Sequence, residues 1–330
     1  MKAIWYEKLG TASDVLQYGD MPHPEPAAGE VRVKIAVSGV NPIDVKRRQG
    51  GRGSMTAPRV VPHFDGAGTI DAIGEGVKQR SVGQRVWIYG AQWQRDFGTA
   101  AEFVTLPADL TRALPDNCSF AEGACLGIPA LTAYRSVLVN GPVAGKTLLI
   151  TGGAGAVGRY AIQFAKLSGA SIISTVSSDE KVELATSAGA DYVLNYCTEN
   201  VADRIKHITA GEGVDQIVEV EFGGNLATSV DILKTGGSLV SYASQASPEP
   251  VLPFYEMMYK SLSVHLVLTF GTPAAALEES LAAINGWLVS GKLSHTIGCK
   301  FPLSETVAAH EAVEQGTLGK VLINVSEAVL

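Results

Sequence analysis

The order of its segments predicts an α/β protein in which a doubly wound parallel sheet is inserted into a β-rich domain. Three observations predict it. The first third reads as short strands punctuated by Gly and Pro, the middle alternates apolar strands with apolar-periodic helices, and the last stretch returns to a strand of the first kind. A length of 330 residues, about twice that of an average domain, agrees with two units.

Taken in order, GEVRVKIAVSGV (29–40) alternates apolar and polar residues with the period of a half-buried strand. GAGTIDAIGEGV (66–77) and QRVWIYG (84–90) follow, and their spaced glycines suit an irregular antiparallel sheet rather than helices. From about Pro142 the texture changes. KTLLITGG (146–153) is an apolar strand, and AVGRYAIQFAKLSG (156–169) is an apolar-periodic helix closed by Gly169. Strands recur at ASIISTVSS (170–178), DYVLNY (191–196), VDQIVEV (214–220) and SLVSYAS (238–244), with helical stretches between them, and SVHLVLTF (263–270) supplies a sixth. A helix near 273–290 and the strand KVLINV (320–325) belong with the first style. The expected domains are therefore 1–124 with 266–330, and 125–265 between them.

Hydrophobic residues make up 46% of the chain and charged residues 18%, enough apolar material for a large core. A net charge of −7 offers no general attraction to nucleic-acid phosphates or anionic lipid, so neither is an expected partner. No apolar run is long enough to cross a membrane, and MKAIWYEKLG lacks the apolar core of a secretion signal, so a cytoplasmic location is expected. Cys118, Cys125, Cys197 and Cys299 form no C-x-x-C pair and predict neither a disulfide framework nor a zinc site.

TGGAGAVGRY (151–160) places Gly153, Gly155 and Gly158 in G-x-G-x-x-G spacing between an apolar strand and a helix. The first glycine is expected to permit the tight turn, the second to let a pyrophosphate approach the backbone, and the third to let the helix pack on the strand. The helix N-terminus adds N–H groups and a dipole that favour an anion. Dinucleotide binding is the reading, and the second strand selects the dinucleotide. Rossmann folds that bind NAD usually end that strand with an acid for the ribose 2′-hydroxyl. Here Ser177 and Ser178 stand in that place and Lys181 follows one helical turn later. Hydroxyls with an ammonium suit a 2′-phosphate, so NADPH is the expected cofactor. The alternative for Ser177 is a capping box with Glu180.

These blocks, together with SGVNPID (38–44), PHFDGAGTIDAIGEGV (62–77), LTAYRSV (131–137), TVSSDEK (175–181), YVLNY (192–196) and the terminal GKVLINV, carry a family likeness in their order and spacing. The chain resembles the medium-chain dehydrogenase/reductase superfamily, specifically its zinc-free quinone oxidoreductase (ζ-crystallin-like) branch. The resemblance implies a Rossmann domain inserted in a GroES-like catalytic domain, an active site in the cleft between them, and a homodimer. It implies that Gly155, Ala156, Val157 and Gly158 hold the pyrophosphate, and that Ser177, Lys181 and Tyr196 surround the 2′-phosphate. Asn41 and Thr132 are implied near the nicotinamide, and the backbone from Tyr242 to Ser244 under the cofactor.

Zinc-dependent relatives carry a Cys where Asn41 stands, a His-Glu pair where Phe64 and Asp65 stand, and four cysteines in the region of residues 90–115. This chain has no cysteine before Cys118, and no metal is expected. Without a Lewis acid, the resemblance implies an acceptor that stabilises its own negative charge, either a quinone or an α,β-unsaturated carbonyl. His63 is expected to be a structural or surface histidine rather than a ligand. Where the family often has a Tyr five residues after the Asn, this chain has Lys46, beside Arg47 and Arg48. Lys46 is a candidate for attracting an anionic acceptor or steadying an enolate, set against the plainer reading of the three as a solvated charge run. The proton donor stays open among Lys46, Tyr134 and water. The expected function is NADPH:quinone oxidoreductase, with alkenal, enone or enoyl-thioester reductase as the alternative and a non-catalytic NADPH-binding protein behind both.

Overall fold

A computed structural model of the chain describes residues 1–51, 53–55 and 57–326. Residues 52, 56 and 327–330, which the sequence assigns to the first domain, lie outside the described residues. The chain opens with an antiparallel pair, β1 (Lys2–Trp5) and β2 (Gln17–Asp20), joined through α1 (Ala12–Val15). Strand β3 (Glu30–Val40), helix α2 (Pro42–Gln49) and strands β4 (Asp65–Ile73), β5 (Arg85–Ile88), β6 (Phe103–Pro107) and β7 (Thr111–Ala113) follow, then α3 (Phe120–Gly123).

The alternating unit comes next. It comprises α4 (Gly127–Leu138), β8 (Thr147–Ile150), α5 (Ala156–Leu167), β9 (Ser171–Val176), α6 (Asp179–Ser187), β10 (Tyr192–Asn195) and α7 (Val201–Ile208). It continues with β11 (Val214–Glu219), α8 (Phe222–Ile232), β12 (Leu233–Ser241), α9 (Phe254–Tyr259) and β13 (Ser263–Leu266). Helix α10 (Ala274–Val289) leads back to β14 (Ile297–Pro302), α11 (Thr306–Glu314) and β15 (Lys320–Asn324).

The chain divides into one unit of Met1–Ile128 with Asn285–Leu330 and a second of Pro129–Ile284. These breaks fall later than those drawn from the sequence. The reason lies in bonds that periodicity does not report. Within the second unit, Tyr134 on α4 donates to Glu279 on α10 at 3.3 Å, and the hydroxyls of Thr132 and Thr269 lie 2.5 Å apart. The first part of α10 therefore stays with the Rossmann unit.

In the first unit β3 is the organising strand. Val31, Val33, Ile35 and Val37 are almost fully buried while Arg32 and Lys34 between them are not, which is the expected alternation. One edge of β3 pairs antiparallel with β4; the other is shared, with β6 along Glu30–Lys34 and β15 along Val37–Val40. Its apolar face packs with Ile70, Val86, Ile88, Val104 and Leu106, each worth about 1.5–3 kcal/mol when fully buried.

The second unit is a six-stranded parallel sheet in the order β10-β9-β8-β11-β12-β13. Leu149, Ile173, Ile217 and Leu239 fill one of its faces. The strand order reverses between β8 and β11, and sheets of this kind bind ligands outside the carboxyl ends of their strands at such a reversal. The Gly-rich turn follows β8 and Glu219 closes β11, so both stand at that reversal.

Candidate active site

In the first unit, antiparallel register brings three distant strand ends to one place. β3 ends at Val40 and hands over to Asn41; Asp65 opens β4 opposite Gly39; Lys320 opens β15. Asn41 caps α2 ahead of Pro42 at the first helical position, and its backbone N–H donates to Asp44 Oδ2 at 2.6 Å. Its side-chain Nδ2 donates to Asp65 Oδ2 at 2.7 Å, while Lys320 Nζ donates to Asn41 Oδ1 at 2.5 Å and to Asp65 Oδ2 at 3.2 Å. Asp65 also accepts from the Ile128 N–H at the start of α4, at 3.0 and 3.1 Å, a helix end that favours a carboxylate. All of these side chains are buried. Glycines make the packing possible: a Cβ on Gly127 would lie 1.9 Å from Asp65 Oδ1, and one on Gly39 would lie 2.3 Å from the Ala124 carbonyl and 2.9 Å from Lys320 Cε. Burial pushes the Asp44 carboxyl up to about 7, and its Oδ1 has no hydrogen-bond partner among the described residues.

A second buried network runs into the same place. Thr99 Oγ1 lies 2.6 Å from the backbone carbonyl of Asp65, which only accepts, so Thr99 donates. Ser38 Oγ, 2.7 Å from Thr99, must then donate to it, and His63 Nδ1 must donate to Ser38 at 2.8 Å. That leaves His63 Nε2 to accept from His310 Nε2 at 2.9 Å, and His310 Nδ1 to accept from Arg48 Nε at 3.4 Å. The guanidinium of Arg48 also donates to the Gly10 carbonyl and to Glu314. Every bond points one way, from Arg48 to Asp65, and it requires both imidazoles neutral. Burial drives both histidines toward that state, lowering His63 well below the ordinary value and His310 to about 3. His63 holds a left-handed φ of 83° in this setting, strain of about 1–3 kcal/mol that the surrounding bonds must offset.

The structure thus makes His63 a structural histidine. It corrects the reading of Lys46, Arg47 and Arg48 as a solvated run. Arg48 is fully buried, Arg47 lies over the Phe64 ring and donates to the Gln92 carbonyl at 3.0 Å, and Lys46 is half-buried on α2. Three adjacent cations cannot share one helix face, and the 100° step between residues turns Arg48 inward.

In the second unit the Gly-rich turn has the expected shape with the roles partly redistributed. The left-handed φ of 66° falls on Gly152, so the tight turn needs Gly152 rather than Gly153. A Cβ on Gly153 would strike Ser174 Oγ at 2.0 Å, and one on Gly158 would strike the Gly152 carbonyl at 2.2 Å. Both are packing glycines. At Gly155, which caps α5, a Cβ would meet only the Gly152 carbonyl at 3.2 Å, so this backbone is bare on its outer side. The N–H groups of Ala156, Val157 and Gly158 open α5 and have no partner within the helix.

One strand over, Lys181 Nζ donates to Ser177 Oγ at 2.7 Å. The capping residue of α6 is Ser178, and it makes no side-chain cap bond. The capping box between Ser177 and Glu180 does not form, and Ser177 is held toward the lysine instead. Tyr196, just past β10, is 54% exposed. Glu219 is buried at the sheet reversal: its Oε1 accepts from Thr151 Oγ1 at 2.8 Å, from the Glu221 N–H at 2.7 Å and from Asn225 at 3.0 Å. Burial raises its carboxyl. Tyr242 N donates to the Glu219 carbonyl at 3.3 Å, and burial followed by the nearby Glu219 raises the Tyr242 hydroxyl. Ser244 Oγ accepts from Gly223 N at 2.9 Å, so the 242–244 segment is tied to the β11–α8 turn. Thr132 is buried against Thr269. Tyr134, one candidate proton donor, gives its hydroxyl to Glu279, and burial pushes it up to about 12, a poor acid near neutrality.

A family model for the alcohol dehydrogenase GroES-like domain matches residues 27–116, and one for zinc-binding dehydrogenase matches 156–285. Over 98% of this chain, a 2-methylene-furan-3-one reductase of Solanum lycopersicum is 32% identical, with 79% of its own length covered. The chain belongs to the medium-chain dehydrogenase/reductase superfamily, in its zinc-free quinone oxidoreductase branch. Within this superfamily, a quinone oxidoreductase of Rattus norvegicus is 29% identical over 98% of this chain and 97% of its own. The Escherichia coli quinone oxidoreductase solved in complex with NADPH superposes with a TM-score of 0.88 at 28% identity, covering 98% of this chain and 100% of that one.

Asp44, Glu219, Lys320 and the Arg48–His310–His63 chain are not legible as site residues in the sequence of this superfamily member. Only Lys320 left a signal, a lysine at the head of an otherwise apolar strand. Among the described residues no three His, Cys, Asp or Glu side chains converge as a metal-holding set, and no helix is long and apolar enough to cross a membrane.

Proposed function

We propose that the protein is an NADPH-dependent quinone reductase that works without zinc. The observation that carries the reading is the Lys181 ammonium bonded to Ser177 at the end of the second Rossmann strand, next to the bare Gly155 turn. The residues fit the cofactor. Gly155, with Ala156, Val157 and Gly158, offers open backbone and helix N–H groups to a pyrophosphate; Gly153 keeps the turn packed on β9. Ser177, Ser178, Lys181 and the exposed ring of Tyr196 suit a 2′-phosphate, where an acid would repel it. Thr132, Tyr242 and Ser244 complete the set, and the Thr151–Glu219 bond sets the entry to the turn.

When bound, NADPH supplies a hydride. The chain's own part is to hold the cofactor, orient the acceptor and exclude water. Asn41 and Lys46 in the first unit are the groups proposed to meet the acceptor. The place of the zinc ligands holds Asn41, Phe64 and Asp65, and the Lys320 ammonium already neutralises that donor set. An acceptor that carries its own developing charge is therefore the fitting substrate, and similarity across nearly the whole length to quinone oxidoreductases supports a quinone. The 32% identity to a 2-methylene-furan-3-one reductase supports a second reading, reduction of enals and enones.

A second copy of the chain is the proposed partner. β13 is an edge strand of the parallel sheet, and Leu266 on it and Phe254, Tyr255 and Tyr259 on α9 are more than half exposed. Light scattering on the purified protein reads the dimer directly.

The test of function mixes the protein with NADPH or NADH and follows nicotinamide absorbance against benzoquinone, naphthoquinone, a phenanthrenequinone and short enals and enones. Rapid oxidation of NADPH by quinones is expected. Preference for enals and enones moves the protein to the second reading, and failure to bind either nicotinamide overturns both.

A further inference from the structure

We infer that Lys320 and Asp65 are positioning residues for Asn41, fixing which way round its amide is held. The inference rests on the reading of Asn41 as an acceptor-side residue. The amide of Asn41 has two ends, and each meets a group of the opposite kind. Its Oδ1 faces the Lys320 ammonium, which only donates, and its Nδ2 faces the Asp65 carboxylate. A flip would set N–H against ammonium and oxygen against carboxylate at once. Asn41, Lys320 and Asp65 are 2%, 4% and 0% exposed, so water screens neither repulsion.

Each holder is itself held. Asp65 is pinned at its carboxylate by the Ile128 N–H and at its carbonyl by Thr99, the last member of the one-way chain from Arg48. Lys320 runs along Gly39, whose missing Cβ leaves room for its stem. Asp44 anchors the backbone N–H of Asn41 from the other side. Among the described residues, Nδ2 of Asn41 donates only to Asp65, which leaves its second hydrogen outside the network. That hydrogen is the group the arrangement presents to an acceptor oxygen as charge develops there, and its direction is set by Lys320 and Asp65.

The test compares the parent chain with Lys320→Met, Lys320→Arg and the charge-balanced double variant Asp65→Asn/Lys320→Met. The double variant leaves no lone buried charge and keeps the question answerable if Lys320→Met does not fold. Two readouts are taken: steady-state turnover with the best acceptor, and the Asn41 side-chain amide resonance after selective ¹⁵N-asparagine labelling. The double variant is expected to lose kcat by about tenfold to a hundredfold, with NADPH affinity within about twofold of the parent. Its Asn41 amide resonance is expected to move and exchange faster, and Lys320→Arg to restore both readouts. Parental kcat in the folded double variant overturns the inference, as does a lowered kcat with an unmoved Asn41 resonance. If the parent itself reduces no acceptor, the functional reading falls, and the resonance alone decides whether Lys320 orients Asn41.

Discussion

The Gly-rich turn after β8 and the buried network around Asp65 are built on opposite principles. The turn is made of neighbours: Gly152 to Gly158 act through backbone shape, and what they offer a ligand is bare N–H groups at a helix end. The network is made of strangers. Arg48, His63, Asp65, His310 and Lys320 meet only because α2, β3, β4, β15 and α11 pack together, and it works through bonds between side chains sealed from water. The comparison teaches that a backbone motif can be local and open, whereas groups that fix a side chain's orientation away from water are buried and therefore gathered from afar.

On that contrast, damage to the network should cost stability first, and damage to the Gly-rich turn, the proposed cofactor site, should cost binding first. Lys320→Met alone leaves Asp65 buried without its cation and is expected to lower stability by about 3–5 kcal/mol in urea unfolding, with most of it recovered in the double variant. Ser177→Asp places an acid where the 2′-phosphate is proposed. NADPH affinity is expected to fall about a hundredfold in a fluorescence titration, NADH affinity to hold, and stability to stay within about 0.5 kcal/mol. Gly158→Ala lies between the two. Its new methyl meets the Gly152 carbonyl, and a loss of about 1–3 kcal/mol is expected together with weaker NADPH binding.

Acid should find the network as well. The folded His63 and His310 bind a proton only well below the ordinary 6.5, so from about 6.5 downward the unfolded chain binds more protons than the folded one. Stability must fall with pH in that window, by about 1.4 kcal/mol per pH unit for each histidine. Asp44 has the opposite sign: with its folded value near 7 against an ordinary 3.8, the folded state keeps the extra proton, and stability falls as pH rises between the two. Asp44→Asn removes the opposing slope, so its acid limb should be steeper than the parent's in unfolding curves measured from pH 6.5 to 4. An unchanged slope would mean that Asp44 does not enter the fold protonated, and a parent whose stability holds below pH 6.5 would mean that the two histidines do not enter it neutral. The smallest expected effect is Lys181→Ala, about tenfold in NADPH affinity with no measurable change in stability.

Much of this was legible before the fold was known, and the parts that were not share a cause. The strand–turn–helix around Gly155 and the absence of an acid at Ser177 are written in consecutive residues, where periodicity and spacing read directly. Arg48 looked like one of three surface cations, and nothing nearby in sequence reveals that Glu314 and His310 wait for it on α11. Spacing assigns the turn to Gly153 whereas Gly152 makes it, because spacing locates the glycines but not their dihedral angles. The second boundary falls at Ile284, inside α10, rather than at 265, and Glu279 on the first part of that helix bonds to Tyr134, a side-chain choice that a helical pattern leaves open.

The sequence by itself determined the α/β class, the inserted Rossmann sheet, the location of the Gly-rich turn and the family. These follow from apolar periods and from glycines at fixed spacing, which act over a few residues of backbone. Only the tertiary structure decided that Asn41 is clamped between an ammonium and a carboxylate, and that the imidazoles of His63 and His310 hand a one-way chain of hydrogen bonds to Asp65. Those outcomes depend on burial and on which distant strand ends share a sheet edge, and both exist only once the chain has closed on itself.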